Sequence, residues 1–363
     1  MAVSIKDIAR LAGVSHSTVS RALRNSPLIP ARTAQRIQQI AREKGYSASA
    51  VARSLVTRKT ETIGVVVTSI ADPFNGEVME GIEEAANQNG YSVILATSQA
   101  DPDREMAVVR SFRERRVDGI LVASSRVGSL YLPILGEMEI PIVLLNNQSP
   151  GTFAHAVTID NVDGAFKATN HLIELGHARV AYIGDRFGLQ SDVDRLKGYR
   201  KALRRAGLPL SQDLVAAGDG KTAGGRAAAA KLLDPAIAAA QRPTAVFCYN
   251  DMSALGVMQE AEAAGLRIPE DLSLVGFDDL FFAAQLRPPL TTVRQPKKEI
   301  GRCAITQLLS LLRSEEGGST TLLKGDLIVR ESTAKRSEDT LLRASTSRSG
   351  QGRTPTPNPR NRA

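Results

Sequence analysis

Apolar positions recur at helical spacing through the first 44 residues. Ser4-Ile5-Lys6-Asp7 has the form of a capping box, and small and branched apolar residues then follow at intervals of three and four. Gly13 is predicted to end this helix, and Ser15 to cap a second one. A third helix is predicted over about 31–44. Two short helices joined at a glycine, the second exposing small polar groups and an arginine, are typical of a helix-turn-helix.

From Thr62 onward the pattern changes to short β-rich apolar runs separated by helical stretches. Runs without alternation predict strands buried on both faces, and their spacing by helices predicts parallel sheets with right-handed crossovers. The pattern restarts near 176–179, so we predict an α/β body of two doubly wound parallel-sheet lobes. Such a two-lobed body resembles the periplasmic binding proteins. The predicted strands are 63–68, 93–97, 119–123, 142–145, 157–159, 180–183, 214–216, 245–248 and 274–277.

These patterns divide the chain into four parts. We predict an all-α helix-turn-helix head at 1–46, a linker at 47–59, and the two-lobed body at 60–334. The tail, 335–363, is biased toward Ser, Arg, Pro and Thr and is expected to be disordered, without a tetramerisation helix. Within the body, lobe 1 is predicted at about 60–161 and 292–323, and lobe 2 at about 162–291 and 324–334.

The net charge of +8 is concentrated at the two ends of the chain. Residues 1–59 carry 11 Lys and Arg against Asp7 and Glu43, or +9, and residues 335–363 carry 7 basic against 2 acidic residues, or +5. The body is therefore mildly acidic, at −6. A basic head on an acidic body suits a polyanion-binding module, because Lys and Arg neutralise nucleic-acid phosphates. A merely solvated basic surface is the alternative that charge alone leaves open.

Several function classes lack their motifs. No stretch approaches about 18 apolar residues and no signal-like segment opens the chain, so we expect a cytoplasmic, nucleoid-associated protein with no membrane partner. Cys248 and Cys303 are expected to be reduced residues in apolar surroundings. The sequence Gly220-Lys221-Thr222 lacks the first glycine of a phosphate-binding loop, and the four histidines lack metal-ligand spacing. We therefore predict no enzyme, no cofactor and no metal.

Polar residues follow almost every predicted strand of the body. In open α/β sheets ligands bind beyond the carboxyl ends of the strands, so facing rims of two lobes would form a polar cleft. Such a cleft suits a neutral polyhydroxylated ligand, on which Phe74 could pack. The alternative, that individual Asp and Asn residues only cap the next helix, stays open. The rim residues are Asp72, Phe74, Ser98, Ser124, Ser125, Asn146, Asn147, Asp160, Asp185, Asp219, Asn250, Asp251, Asp278 and Asp279.

Taken together, these motifs resemble the lactose/galactose repressor (LacI/GalR) family of bacterial transcription regulators over residues 4 to 334. The matching segments are 5–9 (IKDIA), 12–15 (AGVS), 18–23 (TVSRAL), 45–47 (GYS), 50–55 (AVARSL), 62–64 (TIG), 116–119 (RVDG), 159–161 (IDN), 176–177 (GH), 195–199 (RLKGY), 250–251 (ND), 276–279 (GFDD), 295–296 (QP) and 327–332 (LIVRES). Only the tail falls outside the resemblance.

The resemblance implies a DNA-binding role for the head, and a hinge helix within the linker at 47–59. His16, Ser17 and Arg21 occupy positions that read base edges in the major groove, and Leu55 the position of a hinge residue that wedges into the minor groove. Ala48 stands where relatives commonly have proline, which implies a more disordered free hinge. The remaining implied contacts, to phosphates or along the hinge, are Ser15, Thr18, Ser20, Arg24, Tyr46, Ser49, Ala52 and Arg53.

The resemblance also implies an allosteric repressor. A homodimer would bind a pseudo-palindromic operator of double-stranded DNA, and a small-molecule effector, a sugar or sugar derivative, would bind between the lobes and change operator affinity. A solute-binding receptor without DNA regulation is the alternative from another class. The effector-binding residues implied are Asp72, Phe74, Asn147, Asp160, Arg195, Asn250 and Asp278.

Overall fold

The computed structural model describes residues 3–23, 25–46, 59–127, 140–148, 155–314 and 320–336. The chain divides into two compact units. The first comprises Met1–Thr62 with Arg116–Asp118, and the second comprises Ile63–Arg115 with Gly119–Ala363. Residues 47–58 of the predicted hinge helix and linker at 47–59 lie outside the described residues, as does the tail beyond 336.

The first unit contains three helices, α1 (Ile5–Ala12), α2 (His16–Leu23) and α3 (Ala31–Glu43). The predicted capping box is confirmed: Ser4 Oγ accepts from the Asp7 backbone N–H, and the Asp7 carboxylate accepts from the Ser4 N–H. Gly13 ends α1 with φ of 64°, a left-handed conformation that glycine adopts without strain. The small core consists of Ile8, Ala9, Ala12, Val19, Ala22 and Ile37.

The second unit contains two six-stranded sheets flanked by helices. The first sheet has the order β11-β5-β4-β3-β1-β2, and the second β12-β10-β9-β8-β6-β7. The strands are β1 (Thr62–Val67), β2 (Ser92–Thr97), β3 (Gly119–Ala123), β4 (Ile142–Leu145), β5 (Ala156–Ile159), β6 (Val180–Asp185), β7 (Val215–Gly218), β8 (Ala245–Cys248), β9 (Ser273–Asp278), β10 (Thr291–Arg294), β11 (Thr321–Leu323) and β12 (Asp326–Ile328). The helices are α4 (Pro73–Gln88), α5 (Pro102–Glu114), α6 (Asn161–Glu174), α7 (Gln190–Arg205), α8 (Thr222–Leu232), α9 (Asp251–Ala263) and α10 (Lys297–Leu312).

The two predicted parallel-sheet lobes are confirmed. Strands β3, β4 and β9 are buried at every residue, which explains why their sequences are continuous apolar runs. Central neighbours such as β1 with β3 and β8 with β9 pair in parallel, and β12 runs antiparallel to β10. Because the carboxyl ends of parallel strands meet at one edge of each sheet, the polar residues that follow them are brought together.

One predicted lobe boundary needs correction. The boundary at 292 assigns most of β10 to lobe 1, but β10 pairs in parallel with β9 of the second sheet, with Thr292 opposite Gly276. The threonines fit a buried strand because their hydroxyls are bonded: Thr292 Oγ1 lies 2.6 Å from Asp251 Oδ1, and Thr291 Oγ1 accepts from the Arg330 N–H. The chain therefore leaves the second sheet after Arg294, and α10 then packs against the first sheet.

Two helices of the first lobe approach unusually closely. A Cβ on Gly81 of α4 would lie 2.1 Å from the Lys298 carbonyl oxygen of α10, and one on Gly301 of α10 would lie 2.4 Å from the Val78 carbonyl oxygen. Only glycine permits this contact between the two backbones. The pair covers one face of the first sheet, where Ile300, Ile305 and Leu308 are buried in the core.

Smaller predictions also differ from the structure. The sequence pattern predicts a helix over 196–206, but helix α7 begins at Gln190, because its first turn is polar and lacks an apolar stripe. Cys248 is buried as expected, but Cys303 is half-buried, with Sγ 3.5 Å from Glu299 Oε1. Within the described ranges, none of the helices is both long and apolar enough to cross a membrane.

Candidate functional site

Helix α2 presents a polar face beside its buried stripe. Val19 and Ala22 are buried, whereas His16, Ser17 and Arg21 are exposed. Ser15 caps the helix, with its hydroxyl accepting from the Thr18 backbone N–H at 3.2 Å. The exposed face therefore combines a fork of guanidinium donors with small hydroxyl and imidazole groups, a set able to contact base edges.

The other predicted DNA contacts are less exposed or lie outside the described residues. Thr18, Ser20 and Tyr46 are half-exposed. Tyr46 also packs against the core of the head, so its ring has a structural role in addition to any contact it makes. Five predicted contacts lie outside the described residues, namely Arg24, Ser49, Ala52, Arg53 and Leu55.

A cavity of about 1040 Å³ lies in the second unit, lined by residues from both lobes. Six of the seven predicted effector-binding residues line it: Asp72, Phe74, Asn147, Arg195, Asn250 and Asp278. Asp160 does not. Its carboxylate accepts from the Asp163 backbone N–H at 2.9 Å and caps α6, so the prediction of a cleft position for Asp160 is corrected to a capping role.

Two of the cavity residues also cap helices. Asp72 accepts from the Phe74 N–H at 3.0 Å at the start of α4, and burial raises the pKa of its carboxyl. Asn250 accepts from the Ser253 N–H at 2.9 Å at the start of α9, and its Nδ2 donates to the Gly220 carbonyl oxygen at 2.9 Å. Each of these two side chains therefore both caps a helix and lines the cavity.

Arg195 crosses the floor of the cavity and is only 4% exposed. Its Nε donates to Asn161 Oδ1 at 2.9 Å, and its Nη1 donates to the Tyr249 carbonyl oxygen. The guanidinium carbon lies 3.7 Å from the centre of the Phe277 ring and 4.6 Å from that of Tyr249. Hydrogen bonds and aromatic faces thus hold the guanidinium in one plane.

Asp278 stands beside Arg195 and is 6% exposed. Its Oδ1 accepts from Gln295 Nε2 at 2.6 Å and lies 3.8 Å from Arg195 Nη2. Burial raises the pKa of Asp278 to about 6, although Arg195 and Gln295 both favour its charged form. Its backbone oxygen accepts from the buried Lys297 Nζ at 2.8 Å, so helix α10 fixes the turn on which it stands.

The neighbouring carboxylates have other roles. Asp251 is fully buried and bonds the Leu280 N–H at 2.8 Å and the Thr292 hydroxyl at 2.6 Å, and burial raises its pKa to about 8. The Asp279 carboxylate pairs with Arg330 at 2.6 Å and Arg294 at 2.7 Å. Although burial alone would raise the pKa of Asp279, these two arginines lower it. Neither residue lines the cavity.

Several residues of the cavity lining were not predicted from sequence, among them Gln148, Ser191, Tyr249 and Gln295. Gln148 follows β4 in the first lobe, and its Oε1 accepts from the N–H of Ser191 at 3.1 Å and from its hydroxyl at 2.8 Å, at the start of α7 in the second lobe. The Ser191 hydroxyl also lies 2.8 Å from Tyr249 Oη. Of these four residues, only Gln295 stands in a segment that matches the family (295–296), and the match assigned no role to it.

The remaining predictions concern metals and histidines. Among the described residues, no group of three or more His, Cys, Asp and Glu is placed to hold a metal ion. His177 bonds Thr244 Oγ1 at 2.9 Å and the Ala334 carbonyl oxygen at 3.1 Å. Lys221 and Thr222 line the cavity between β7 and α8.

Comparisons with known proteins agree with both units. Residues 4–49 match the bacterial regulatory proteins of the lacI family, and residues 169–333 match the periplasmic binding protein-like domain. The HTH-type transcriptional repressor CytR of Escherichia coli (strain K12) is 37% identical over 338 residues, which cover 92% of this chain and 96% of CytR.

Two solved structures extend the likeness. A lac repressor dimer bound to operator and the anti-inducer ONPF has a TM-score of 0.83 at 26% identity, covering 92% of this chain and all of that one. The transcriptional regulator CelR in complex with cellobiose has a TM-score of 0.69 at 32% identity, covering 91% and 99%. The chain therefore belongs to the LacI family, the DNA-binding transcriptional repressors that join a helix-turn-helix head to a periplasmic-binding-protein-like body.

Proposed function

We propose that the protein represses transcription as a homodimer on a pseudo-palindromic operator, and that a sugar or sugar derivative bound in the cavity changes its operator affinity. The observation that carries this proposal is that one chain contains both the exposed polar face of helix α2 and a cavity lined by Arg195, Asn250 and Asp278. A solute-binding receptor without DNA regulation would not need the exposed polar face of α2.

The exposed groups of α2 divide by chemistry. Arg21 can donate two parallel hydrogen bonds to guanine, while His16 and Ser17 offer less selective ones. Ser15, Thr18, Ser20 and Tyr46 suit phosphate contacts, which fix register without reading sequence. Arg24 and the hinge residues Ser49, Ala52, Arg53 and Leu55 complete the proposed interface from the family resemblance alone.

The cavity suits a polyhydroxylated effector. Its lining mixes carboxylates and carboxamides with the aromatic side chains of Phe74, Phe187 and Tyr249, so hydroxyl groups find acceptors while a ring face finds apolar contact. The CelR complex contains a sugar, cellobiose, which supports this class of effector.

Two surfaces of the body support dimerisation. Edge strand β2 exposes Ile94 and Leu95, each 39% accessible, and Phe281 is 67% accessible beside β9, with its ring edge-on to Phe282. Exposed apolar side chains on an unpaired strand edge mark partner contacts in soluble proteins. The lac repressor structure, a dimer on its operator, supports a second copy of this chain as the partner.

A variant of Asp278 tests the link between cavity and operator. Operator fragments are first selected with the full-length chain, and affinity is then measured by fluorescence anisotropy with and without each member of a sugar panel. Asp278→Asn should keep operator affinity without ligand but lose the ligand response, while Asp326→Asn, on exposed β12, should keep both. A full ligand response in Asp278→Asn would show that the cavity assignment is wrong.

A further inference from the structure

Five helices, α4 and α6 to α9, begin at the cavity, and in four of them an N–H of the first turn is bonded to a side-chain oxygen of the protein. Free N–H groups at helix starts are the usual ligands of phosphate. Here one such N–H in each of four helices is bonded to a side-chain oxygen, at 3.0 Å in α4, 2.9 Å in α6, 3.1 Å in α7 and 2.9 Å in α9. The four accepting residues are Asp72, Asp160, Gln148 and Asn250. Helix α8 has no side-chain cap, but the Asp219 carboxylate accepts from the Lys221 N–H at 3.0 Å directly before it.

Helix α7 shows how firmly one of these positions is filled. The residue before the helix, Leu189, supplies no capping side chain, and Gln148 of the opposite lobe takes that role. Gln148 is itself fixed, since its Nε2 donates to the Asn146 carbonyl oxygen at 2.8 Å and its backbone N–H to the Ser125 carbonyl oxygen at 2.9 Å. An entering phosphate would have to displace this carboxamide.

The charge of the lining also disfavours anions. Among the described residues, its carboxylates are Asp72, Asp185, Asp194, Asp219 and Asp278, and its cations are Arg126, Arg195 and Lys221. The most buried cation, Arg195, already bonds Asn161 and the Tyr249 carbonyl oxygen. A phosphate dianion would therefore meet like charge in a partly desolvated site, which is strongly unfavourable.

Two buried acceptor atoms of the lining lack partners. Gln295 is 3% exposed, and its Nε2 donates to Asp278, while its Oε1 has no hydrogen-bond partner among the described residues. Asn146 Oδ1, on the first lobe, is likewise buried without a partner. Buried acceptors without donors are costly, so a ligand that offers hydroxyl or amino donors at these positions would relieve that cost.

From these observations we infer that the cavity selects an uncharged effector rich in hydrogen-bond donors, a free sugar or nucleoside, and rejects the phosphorylated form of the same compound. This inference rests on the proposed function and narrows it. The acceptors of Gln295 and Asn146 recognise the ligand's donors, and the occupied helix starts and surplus carboxylates exclude phosphate.

Calorimetry of the full-length chain with matched pairs tests the inference. The probes are D-ribose and D-ribose 5-phosphate, D-glucose and D-glucose 6-phosphate, and cytidine and adenosine with their 5′-monophosphates. At least one free compound should bind, and its phosphorylated partner should bind roughly 100-fold more weakly or not at all. Equal or tighter binding of a phosphorylated probe overturns the inference but leaves a sugar-derived effector in place. Binding of no probe overturns both the sugar effector and the inference.

Two variants test separately the recognition of ligand donors by Gln295 and the repulsion of phosphate by the carboxylates. Gln295→Met should weaken binding of the free compound roughly tenfold, the effect of one lost hydrogen bond. Gln307→Met, a matched change in α10 outside the cavity, should not. Asp219→Asn should raise the affinity for the phosphorylated partner, because it removes one negative charge. Unchanged affinities in Gln295→Met would refute recognition by that acceptor, and unchanged rejection of phosphate in Asp219→Asn would refute the electrostatic explanation.

Discussion

Replacement of Arg195 by methionine removes the cation from the cavity floor while keeping an unbranched side chain of similar length. The variant loses the bond to Asn161 Oδ1 at 2.9 Å and the bond to the Tyr249 carbonyl oxygen, each worth about 1 kcal/mol. It also leaves the buried Asp278 without the positive charge 3.8 Å away. Together these losses should lower the free energy of unfolding at pH 7.5 by about 3 kcal/mol.

The loss should depend on pH, because Asp278 can take up a proton. Burial raises its folded-state pKa to about 6, above that of the unfolded chain, so the stability that its proton contributes is present at low pH and is lost as pH rises through 6. Without Arg195 the folded pKa rises further. Protonation of Asp278 at pH 5.5 therefore stabilises the variant more than the wild type. The difference in unfolding free energy between the two proteins should be about 2 kcal/mol smaller at pH 5.5 than at pH 7.5.

Urea unfolding of the full-length chain, followed by circular dichroism at both pH values, measures the difference. Arg200→Met is the matched control, because Arg200 lies on the same helix but is exposed, and it should change stability little at either pH. A deficit of equal size at pH 5.5 and 7.5 would refute the charge coupling between Arg195 and Asp278.

Three further variants probe other parts of the account. Asp251→Asn removes a carboxyl whose folded-state pKa is raised to about 8 by burial. The unfolding free energy of the variant relative to the wild type should therefore rise by about 1 kcal/mol per pH unit between pH 5 and 8. A constant difference would contradict a proton on the buried carboxyl. Arg21→Ala should cost about 1–3 kcal/mol on selected operator and little on random DNA in anisotropy titrations, whereas equal losses on both would remove its base-reading role. Gly81→Ala should destabilise the body by about 1–3 kcal/mol in thermal unfolding, because its Cβ would lie 2.1 Å from the Lys298 carbonyl oxygen, while Gly76→Ala on the same helix meets nothing within 4 Å and should be tolerated; equal stability of the two variants would contradict the close contact.

The fold could be predicted well because its signals are local. A strand buried on both faces needs apolar residues throughout, and β3, β4 and β9 show this directly in sequence. The head was readable for the same reason: the Ser4 and Asp7 capping box involves residues three apart. Strand β10 was not predicted, and the lobe boundary at about 292 falls inside it, because its threonines look polar and only their long-range partners make burial possible.

The site was predicted less completely because local signals do not distinguish the polar residues after strands. Asp278 is the last residue of β9, and Asp160, Asp251 and Asp279 come after the ends of strands. Yet Asp160 caps a helix, Asp251 is buried away from the cavity, Asp278 lines the cavity and Asp279 pairs with two arginines. Strand order and the course of the chain decide among these roles. Gln148 was missed for a related reason, since its partner Ser191 lies 43 residues away in the other lobe.

The central claim is that the head binds operator DNA under the control of a ligand in the cavity. An anisotropy titration of the full-length chain at about 0.15 M salt tests it most directly, using a selected inverted-repeat fragment, a scrambled fragment of equal composition, and a free sugar or nucleoside that calorimetry shows to bind. The account predicts at least 1,000-fold tighter binding to the inverted repeat, roughly the lower limit for specific regulators, and a shift in that affinity when the ligand is added. Equal affinity for both fragments, with and without the ligand, would contradict it.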